Sequence, residues 1–205
     1  MNDGYRDVLS EIASSDPTPG GGSVAALCLA HAHSLATMVA RLTVGSEKWS
    51  DGHAKANEVI ERSDEAIDGS LSLAKRDANA FDSVMAAYRM PRDESAVESR
   101  RQEIRKATIN AAIVPLETLV SASELLHELV ELSHGCNGNA LTDLASSAEM
   151  AHTAARMAEM NVRINTEYLE GEDVDEIEHN TNETIGRCDA ALEKVRSSCI
   201  SRLGW

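Results

Sequence analysis

Apolar side chains recur every three or four residues along almost the whole chain, which is the period of an amphipathic α-helix. The clearest stripe runs from Ile60 to Tyr88 and stops before Pro91. No useful stretch alternates apolar and polar residues as a strand does. Aromatic residues make up only 3% of the chain, and small apolar residues suit closely packed helices. The sequence predicts an all-α, single-domain bundle of five to six long helices over residues 1–205.

Glycine and proline residues predict where these helices end. Pro115 lies inside a helical stretch that starts near Asp93, and we expect it to kink that helix because proline lacks a backbone donor. A polar turn, Gly-Cys-Asn-Gly-Asn, occupies residues 135–139. The other predicted helices cover approximately residues 5–12, 24–45, 140–169 and 174–203.

The segment Pro-Thr-Pro-Gly-Gly-Gly-Ser-Val-Ala-Ala at residues 17–26 is the least random stretch of the chain. Prolines hold its entry extended, and three glycines without Cβ atoms let a ligand or another chain approach closely. Ser23 or Thr18 is expected to cap the next helix, whose free N–H groups favour an anion. Close packing without a ligand is equally compatible with this pattern. The candidate binding residues here are Pro19, Gly20, Gly21, Gly22 and Ser23.

The net charge of −15 argues against binding to nucleic acid or to anionic membranes. Only five of the 19 basic residues are lysine, and this acidic, lysine-poor composition predicts a protein from a high-salt cytoplasm. The stretch 24–44 is long and apolar, but its histidines and Arg41 favour a buried helix over a membrane span. Four scattered cysteines and no N-terminal signal pattern predict a cytoplasmic location.

Asp77 is the first candidate for chemistry, because its helical neighbours include Leu73, Phe81 and Val84. A carboxylate on an apolar face is poorly solvated, and desolvation makes it a better proton acceptor. The residues alone favour the alternative, an edge position where Asp77 pairs with Arg76 or Lys75 of another helix.

A second polar set consists of Asn139, Asp143, Asn161 and Asn165. Asn161 and Asn165 are four residues apart and share one helix face, so they could donate hydrogen bonds to a ligand. Capping and helix–helix hydrogen bonds are the alternative for these residues.

The spacing Glu-x-x-His occurs four times, which is the motif of di-iron helical bundles. The pairs are Glu124–His127, Glu131–His134, Glu149–His152 and Glu176–His179. The first two pairs lie beside the Leu126 and Leu129 stripe, on its more solvent-exposed side. The other predicted core helices have no glutamate on their buried faces that could complete a metal site. We therefore expect no metal site, and a metal-binding or scaffold bundle remains the alternative class.

Several motifs resemble the cyclodeaminase domain of formiminotransferase-cyclodeaminases and the related methenyltetrahydrofolate cyclohydrolases. They follow the order of that family over about residues 1–170. Besides the glycine segment they are Met-Val-Ala-Arg-Leu-Thr-Val-Gly at 38–45, Asp-Ala-Asn-Ala-Phe at 77–81, Met-Pro at 90–91, Val-Pro-Leu at 114–116, Gly-Asn with Thr-Asp at 138–143, and Asn-Val-Arg-Ile-Asn at 161–165.

The resemblance implies a homodimeric helical enzyme that acts on a tetrahydrofolate derivative without a tightly bound cofactor. Asp77 would be the proton acceptor and Asp143 would support the cationic substrate or position water. The glycine segment, Asn139, Asn161 and Asn165 would bind the folate. Many relatives carry two or three basic residues after Val-Gly, whereas this chain has only Lys48 to meet the glutamate tail.

Two activities follow from the resemblance. The first is hydrolysis of 5,10-methenyltetrahydrofolate to 10-formyltetrahydrofolate, favoured because no formiminotransferase domain is attached to the chain. The second is cyclodeamination of formiminotetrahydrofolate, which releases ammonia.

Overall fold

The computed structural model describes residues 3–205, which fold into six α-helices and two short 3₁₀-helices with no strand. This confirms the predicted all-α class. The α-helices are α1 (Asp3–Ile12), α2 (Gly21–Val44), α3 (His53–Tyr88), α4 (Val97–Gly135), α5 (Leu141–Thr166) and α6 (Glu172–Leu203). The 3₁₀-helices are Glu47–Gly52 and Gly138–Ala140.

Helix α4 begins later than the sequence predicted, at Val97 instead of near Asp93. The Asp93 carboxylate accepts hydrogen bonds from the Ser95 hydroxyl and from the Ala96 N–H group, at 2.5 and 3.1 Å. Short acidic side chains favour such local turns over helix. The residues between α3 and α4 therefore form a turn that delays the start of α4.

Helix α2 packs mainly against α3 and α5. Its inward face consists largely of alanines with no solvent exposure, and the Ser147 hydroxyl of α5 reaches the Ala32 carbonyl of α2 at 2.7 Å. Small side chains allow this close approach of two helix backbones. Since Asn161 of α5 lies beside Gly21 of α2, the two helices run antiparallel.

Helices α2 and α4 each contain a window long and apolar enough to cross a membrane. Most of the α2 window and half of the α4 window are buried inside the bundle. Core helices of water-soluble bundles have the same composition. The sequence-based interpretation of α2 as a buried helix agrees with this burial.

Pro115 lies inside α4 and is buried against the neighbouring helices. It has no N–H group, so the Ala111 carbonyl one turn earlier loses its helical donor. The Asn165 side chain of α5 replaces that donor, with Nδ2 at 2.9 Å from the Ala111 carbonyl oxygen. The proline in α4 and the asparagine in α5 therefore form one structural unit.

Candidate active site

Asp77 of α3 lies at the N-terminus of α2. The Ser23 hydroxyl donates a hydrogen bond to Asp77 Oδ2 at 2.9 Å, and the Ser23 backbone N–H also donates to this carboxylate. The carboxylate occupies the place where a helix attracts an anion, because the first N–H groups of a helix lack carbonyl partners. The anion site predicted from the glycine segment is thus filled by a side chain of the protein itself.

Two opposing effects act on the Asp77 carboxyl. Burial raises its pKa above the ordinary value, and the hydrogen bonds from Ser23 lower it by a smaller amount, so that the pKa is raised overall. A raised pKa makes an ionised carboxylate a stronger proton acceptor. Asp77 therefore has the properties of a general base. Within residues 3–205 its carboxylate bonds to Ser23 and forms no ion pair, and Arg76 binds Glu117, so the predicted pairing with a basic side chain is wrong.

Position 22 requires a glycine because Asp77 of α3 lies directly against the backbone of α2 there. A Cβ atom on Gly22 would overlap Asp77 Oδ1, and even the small side chain of alanine would displace the carboxylate. A Cβ atom on Gly21 would lie 3.4 Å from the Asn161 amide nitrogen, which is ordinary contact. The sequence predicted close approach at these glycines, and the close neighbour at Gly22 is the candidate base.

Asn161 projects from α5 toward this end of α2, and Asn165 projects from α5 toward α4. The Asn161 amide nitrogen donates to the Met157 carbonyl at 2.8 Å, and the Asn165 amide nitrogen donates to the Asn161 carbonyl at 2.8 Å and to Ala111. The Asn165 amide thus forms a hydrogen bond between α5 and α4, which is the alternative to ligand binding that the sequence left open. Asn161, which is half-buried, contacts the glycine segment directly.

Pro19 and Gly20 complete the entry to α2, where the Thr18–Pro19 peptide bond is cis. Gly20 is the residue before the helix, and no side chain caps it. The prediction that Ser23 or Thr18 caps α2 is therefore wrong. Ser23 is the third residue of the helix, and its hydroxyl bonds to the Asp77 carboxylate instead.

The remaining predicted site residues lie at the opposite end of α2. Lys48 is exposed in the 3₁₀-helix after α2, Asn139 is exposed in the turn before α5, and Asp143 is half-buried in the first turn of α5. The side chain of Asn137 binds this turn to α2, because Asn137 Nδ2 donates to the Leu42 carbonyl at 3.0 Å. We call Lys48, Asn139 and Asp143 the distal group.

A long distance separates the distal group from Asp77 within one chain. Asp143 and Asn161 are 18 residues apart on the continuous helix α5, which at 1.5 Å per residue is about 27 Å. Ser23 and Val44 are 21 residues apart on α2, or about 32 Å. The structure therefore brings together Asp77, Ser23, Gly22 and Asn161, and leaves the distal group several helical turns away.

Among residues 3–205, no three His, Cys, Asp or Glu side chains come together in a way that could hold a metal ion. Two of the four Glu-x-x-His pairs are neighbours on α4, where His127 lies 3.7 Å from Glu131, and the other two lie on α5 and α6. His127 and His179 are exposed, Glu149 pairs with Arg196, and His152 contacts Asp189 at 2.7 Å. These side chains connect neighbouring helices or face solvent.

Known proteins resemble this chain in sequence as well as in fold. Residues 4–183 match the family model described as formiminotransferase-cyclodeaminase. The chain belongs to the formiminotransferase-cyclodeaminase family. A methenyltetrahydrofolate cyclohydrolase from Methylorubrum extorquens is 31% identical over 170 residues, which is 82% of each chain. The mouse formimidoyltransferase-cyclodeaminase is 27% identical over the full 205 residues, which span 37% of that protein.

The fold of this formiminotransferase-cyclodeaminase family member also matches a solved structure. The formiminotetrahydrofolate cyclodeaminase from Thermotoga maritima superposes with a TM-score of 0.88 at 27% identity, covering 98% of this chain and 96% of the other. The resemblance inferred from the motifs is thereby confirmed, including the helical architecture.

Sequence reasoning missed two residues that shape the distal group in this family member. The Lys48 side chain packs against the Trp49 ring, with the ammonium nitrogen 4.7 Å from the ring centroid. Arg202, near the C-terminus, lies 5.9 Å from the same centroid. Trp49 is one of two tryptophans in the chain and directly follows Lys48, which was an available signal. Arg202 had no signal, because it is far from Lys48 in the sequence.

Proposed function

We propose that this protein is a folate one-carbon enzyme that hydrolyses 5,10-methenyltetrahydrofolate to 10-formyltetrahydrofolate, with Asp77 as the general base. The observation that carries the proposal is the half-buried Asp77 carboxylate, which Ser23 holds against the N-terminus of α2 and whose pKa burial raises. The similarity to the Methylorubrum cyclohydrolase over 82% of both chains supports this choice of reaction.

The proposed reaction uses this carboxylate in a defined way. The methenyl bridge is an amidinium cation, so an ionised Asp77 attracts the substrate. A water oxygen forms a bond to the methenyl carbon while Asp77 takes one of its protons. The tetrahedral adduct then collapses: the carbon–nitrogen bond at N5 breaks, N5 receives the proton that Asp77 took, and the hydroxyl group releases its proton to solvent as the formyl C=O bond forms. No redox change occurs, so the chemistry requires only an acid–base group and correct positioning.

The test follows the loss of methenyltetrahydrofolate absorbance with purified protein in high salt. We expect Asp77→Asn to lower kcat by about 10²–10⁴-fold, since the amide cannot accept the proton. Arg76→Gln is the matched control, because Arg76 is the adjacent residue and pairs with Glu117 on the surface between α3 and α4. Full activity in the Asp77→Asn protein would refute the assignment of the base.

Cyclodeamination of formiminotetrahydrofolate is the second candidate reaction. The fold match to the Thermotoga cyclodeaminase over nearly both full chains supports it. In this reaction a nitrogen of the folate attacks the formimino carbon, and ammonia leaves. Ammonia release from formiminotetrahydrofolate, measured beside methenyl hydrolysis, separates the two activities.

We also propose that the protein is a homodimer whose two copies pack through α2. Met38 and Leu42 project from α2 into solvent with 38% and 47% of their surfaces exposed, on the outside of the most apolar helix. A two-fold axis across the middle of α2 would align the N-terminus of one helix with the C-terminus of its copy. That arrangement would bring Asp77 of one chain near the distal group of the other and so join the two halves of the predicted site.

Mixing two inactive variants tests this arrangement. Asp77→Asn and Asp143→Asn chains are unfolded together and refolded as an equal mixture. Half of the dimers would then be heterodimers, and each heterodimer would contain one intact shared site. We expect about a quarter of the wild-type activity from such a mixture. If both residues act within one chain, every site in the mixture carries a substitution and activity stays at the level of the single variants.

A cytoplasmic location and adaptation to high salt complete the proposal. All four cysteines are free thiols, which is typical of a reducing compartment. The charge of −15 on 205 residues favours concentrated salt, because screening reduces repulsion between the acidic side chains.

A further inference from the structure

Arg202 of α6 binds the C-terminal end of α4. Its Nη1 atom donates to the Ser133 carbonyl at 2.6 Å and contacts Cys136 Sγ at 3.2 Å, while Nη2 donates to the Cys136 carbonyl at 2.6 Å. The last carbonyls of a helix lack backbone donors and carry partial negative charge. The planar fork of a guanidinium group reaches two such oxygens through two separate nitrogens, whereas a lysine has only one nitrogen.

The same guanidinium group lies against Trp49. The Arg202 guanidinium carbon and the Lys48 ammonium nitrogen lie 5.9 and 4.7 Å from the centroid of the Trp49 ring. A Cβ atom on Gly138 would lie 2.8 Å from the tip of that ring, so glycine leaves room for Trp49 to rest on the turn between α4 and α5. The ring therefore connects Arg202 with Lys48.

A second chain of contacts leads from Arg202 to Asn139. Arg202 holds the Cys136 carbonyl, and the next residue, Asn137, donates its N–H to Thr43 Oγ1 at 3.0 Å. The Asn137 side-chain oxygen accepts the Asn139 N–H at 2.9 Å. The position of the turn that carries Asn139 is thus determined by Arg202 on one side and by the end of α2 on the other.

We infer that Arg202 is a positioning residue for substrate specificity, which holds Lys48 and Asn139 where the glutamate carboxylates of a folate bind. The inference rests on the proposed folate activity and on the proposed homodimer, because within one chain Lys48 and Asn139 lie at the opposite end of α2 from Asp77. A single exposed lysine on a flexible stem loses conformational freedom when it binds a carboxylate, and the Trp49 ring fixed by Arg202 reduces that loss. Arg202 thereby makes one lysine a better ligand for the tail.

The kinetic test compares two substrates, methenyltetrahydrofolate and methenyltetrahydropteroate, which lacks the glutamate. We expect Arg202→Ala to raise KM for the first by about five-fold, the effect of losing one exposed ion pair, with kcat and the pteroate KM unchanged. Lys48→Ala should give the same change, and the double variant should add little. Arg196→Ala, on the exposed face of the same helix, is the control and should match the wild type.

Equal KM changes for both substrates, additive effects with Lys48→Ala, or an unchanged KM would each overturn the inference. If Arg202→Ala does not unfold cooperatively, Arg202→Lys carries the test, because it keeps the charge and loses the paired carbonyl bonds. It should raise only the KM of the glutamate-bearing substrate.

Fluorescence gives a readout that does not depend on activity. In a Trp205→Phe background, Trp49 is the only tryptophan. Loss of Arg202 should make Trp49 more accessible to acrylamide quenching, and unchanged quenching would overturn the inference even where turnover is normal. Absence of folate turnover in the wild type would instead refute the proposed function. The quenching result would then still decide whether Arg202 holds Trp49 in place.

Discussion

The bond between Asn165 and the Ala111 carbonyl gives a prediction about how the candidate site is built. Pro115 deprives that carbonyl of its helical donor, and Asn165 Nδ2 supplies another at 2.9 Å. Ala111 is only 7% exposed, so water replaces the lost donor poorly. Asn165→Ala should therefore leave a buried acceptor without a partner.

The size of the effect follows from the cost of such a group. An unsatisfied buried carbonyl costs about 1–3 kcal/mol in the free energy of unfolding. For a chain of 205 residues, a loss of about 2 kcal/mol lowers Tm by roughly 4–8 °C. In a Pro115→Ala background, the N–H group of the new alanine restores the bond within α4. The same Asn165→Ala change should then cost about 1 kcal/mol less.

Urea unfolding of the four proteins of this double-mutant cycle, followed by circular dichroism, measures the coupling between positions 115 and 165. Asn161→Ala is a useful comparison, because Asn161 donates to Met157 within its own helix and replaces no missing donor. Equal destabilisation by Asn165→Ala in the wild-type and Pro115→Ala backgrounds would refute the reasoning. It would also return Asn165 to the group of candidate ligand-binding residues.

Three further predictions concern the base and the charge of the protein. Gly22→Ala should lower activity by roughly 10²-fold or more, as loss of the base does, because the added Cβ atom displaces the Asp77 carboxylate. The control Gly186→Ala, on the open surface of α6, should have wild-type turnover. Ser23→Ala removes hydrogen bonding that lowers the pKa of Asp77, so the acidic limb of the kcat/KM profile should move to higher pH with its plateau retained, and an unmoved limb would contradict this. Unfolding free energy measured in decreasing NaCl should fall, as screening of the net charge of −15 is lost, while stability independent of salt would exclude halophilic adaptation.

Much of the fold could be predicted from the sequence because helical periodicity is a local property. The predicted segments for α2 and α6 differ from the observed helices by only a few residues. Local competition from turn residues explains the late start of α4 at Val97. The position of Pro115 inside a helix could be predicted from the sequence. The side chain that replaces its missing N–H donor could not, because it comes from α5.

The candidate site was predictable in its residue types and not in its arrangement. Asp77 could be identified as a poorly solvated carboxylate from its own helix face, but its partner Ser23 is 54 residues away. The sequence grouped Asp143 with Asn161 because both lie on α5, whereas the length of that helix separates them. Spacing along a helix predicts a shared face and carries no information about which end meets another element.

The position of Asp77 explains how one carboxylate could serve both halves of the proposed reaction. A base must accept a proton during the attack of water and release it when the leaving nitrogen needs one, which is fastest when its pKa lies near the working pH. Burial moves the pKa of Asp77 upward, toward that condition, while the hydrogen bonds from Ser23 favour the ionised form and orient the carboxylate. Full burial without Ser23 would favour the neutral acid, and full exposure would leave a weak base. The balance requires α2 and α3 to approach within contact distance, and Gly22 at their contact makes that approach possible.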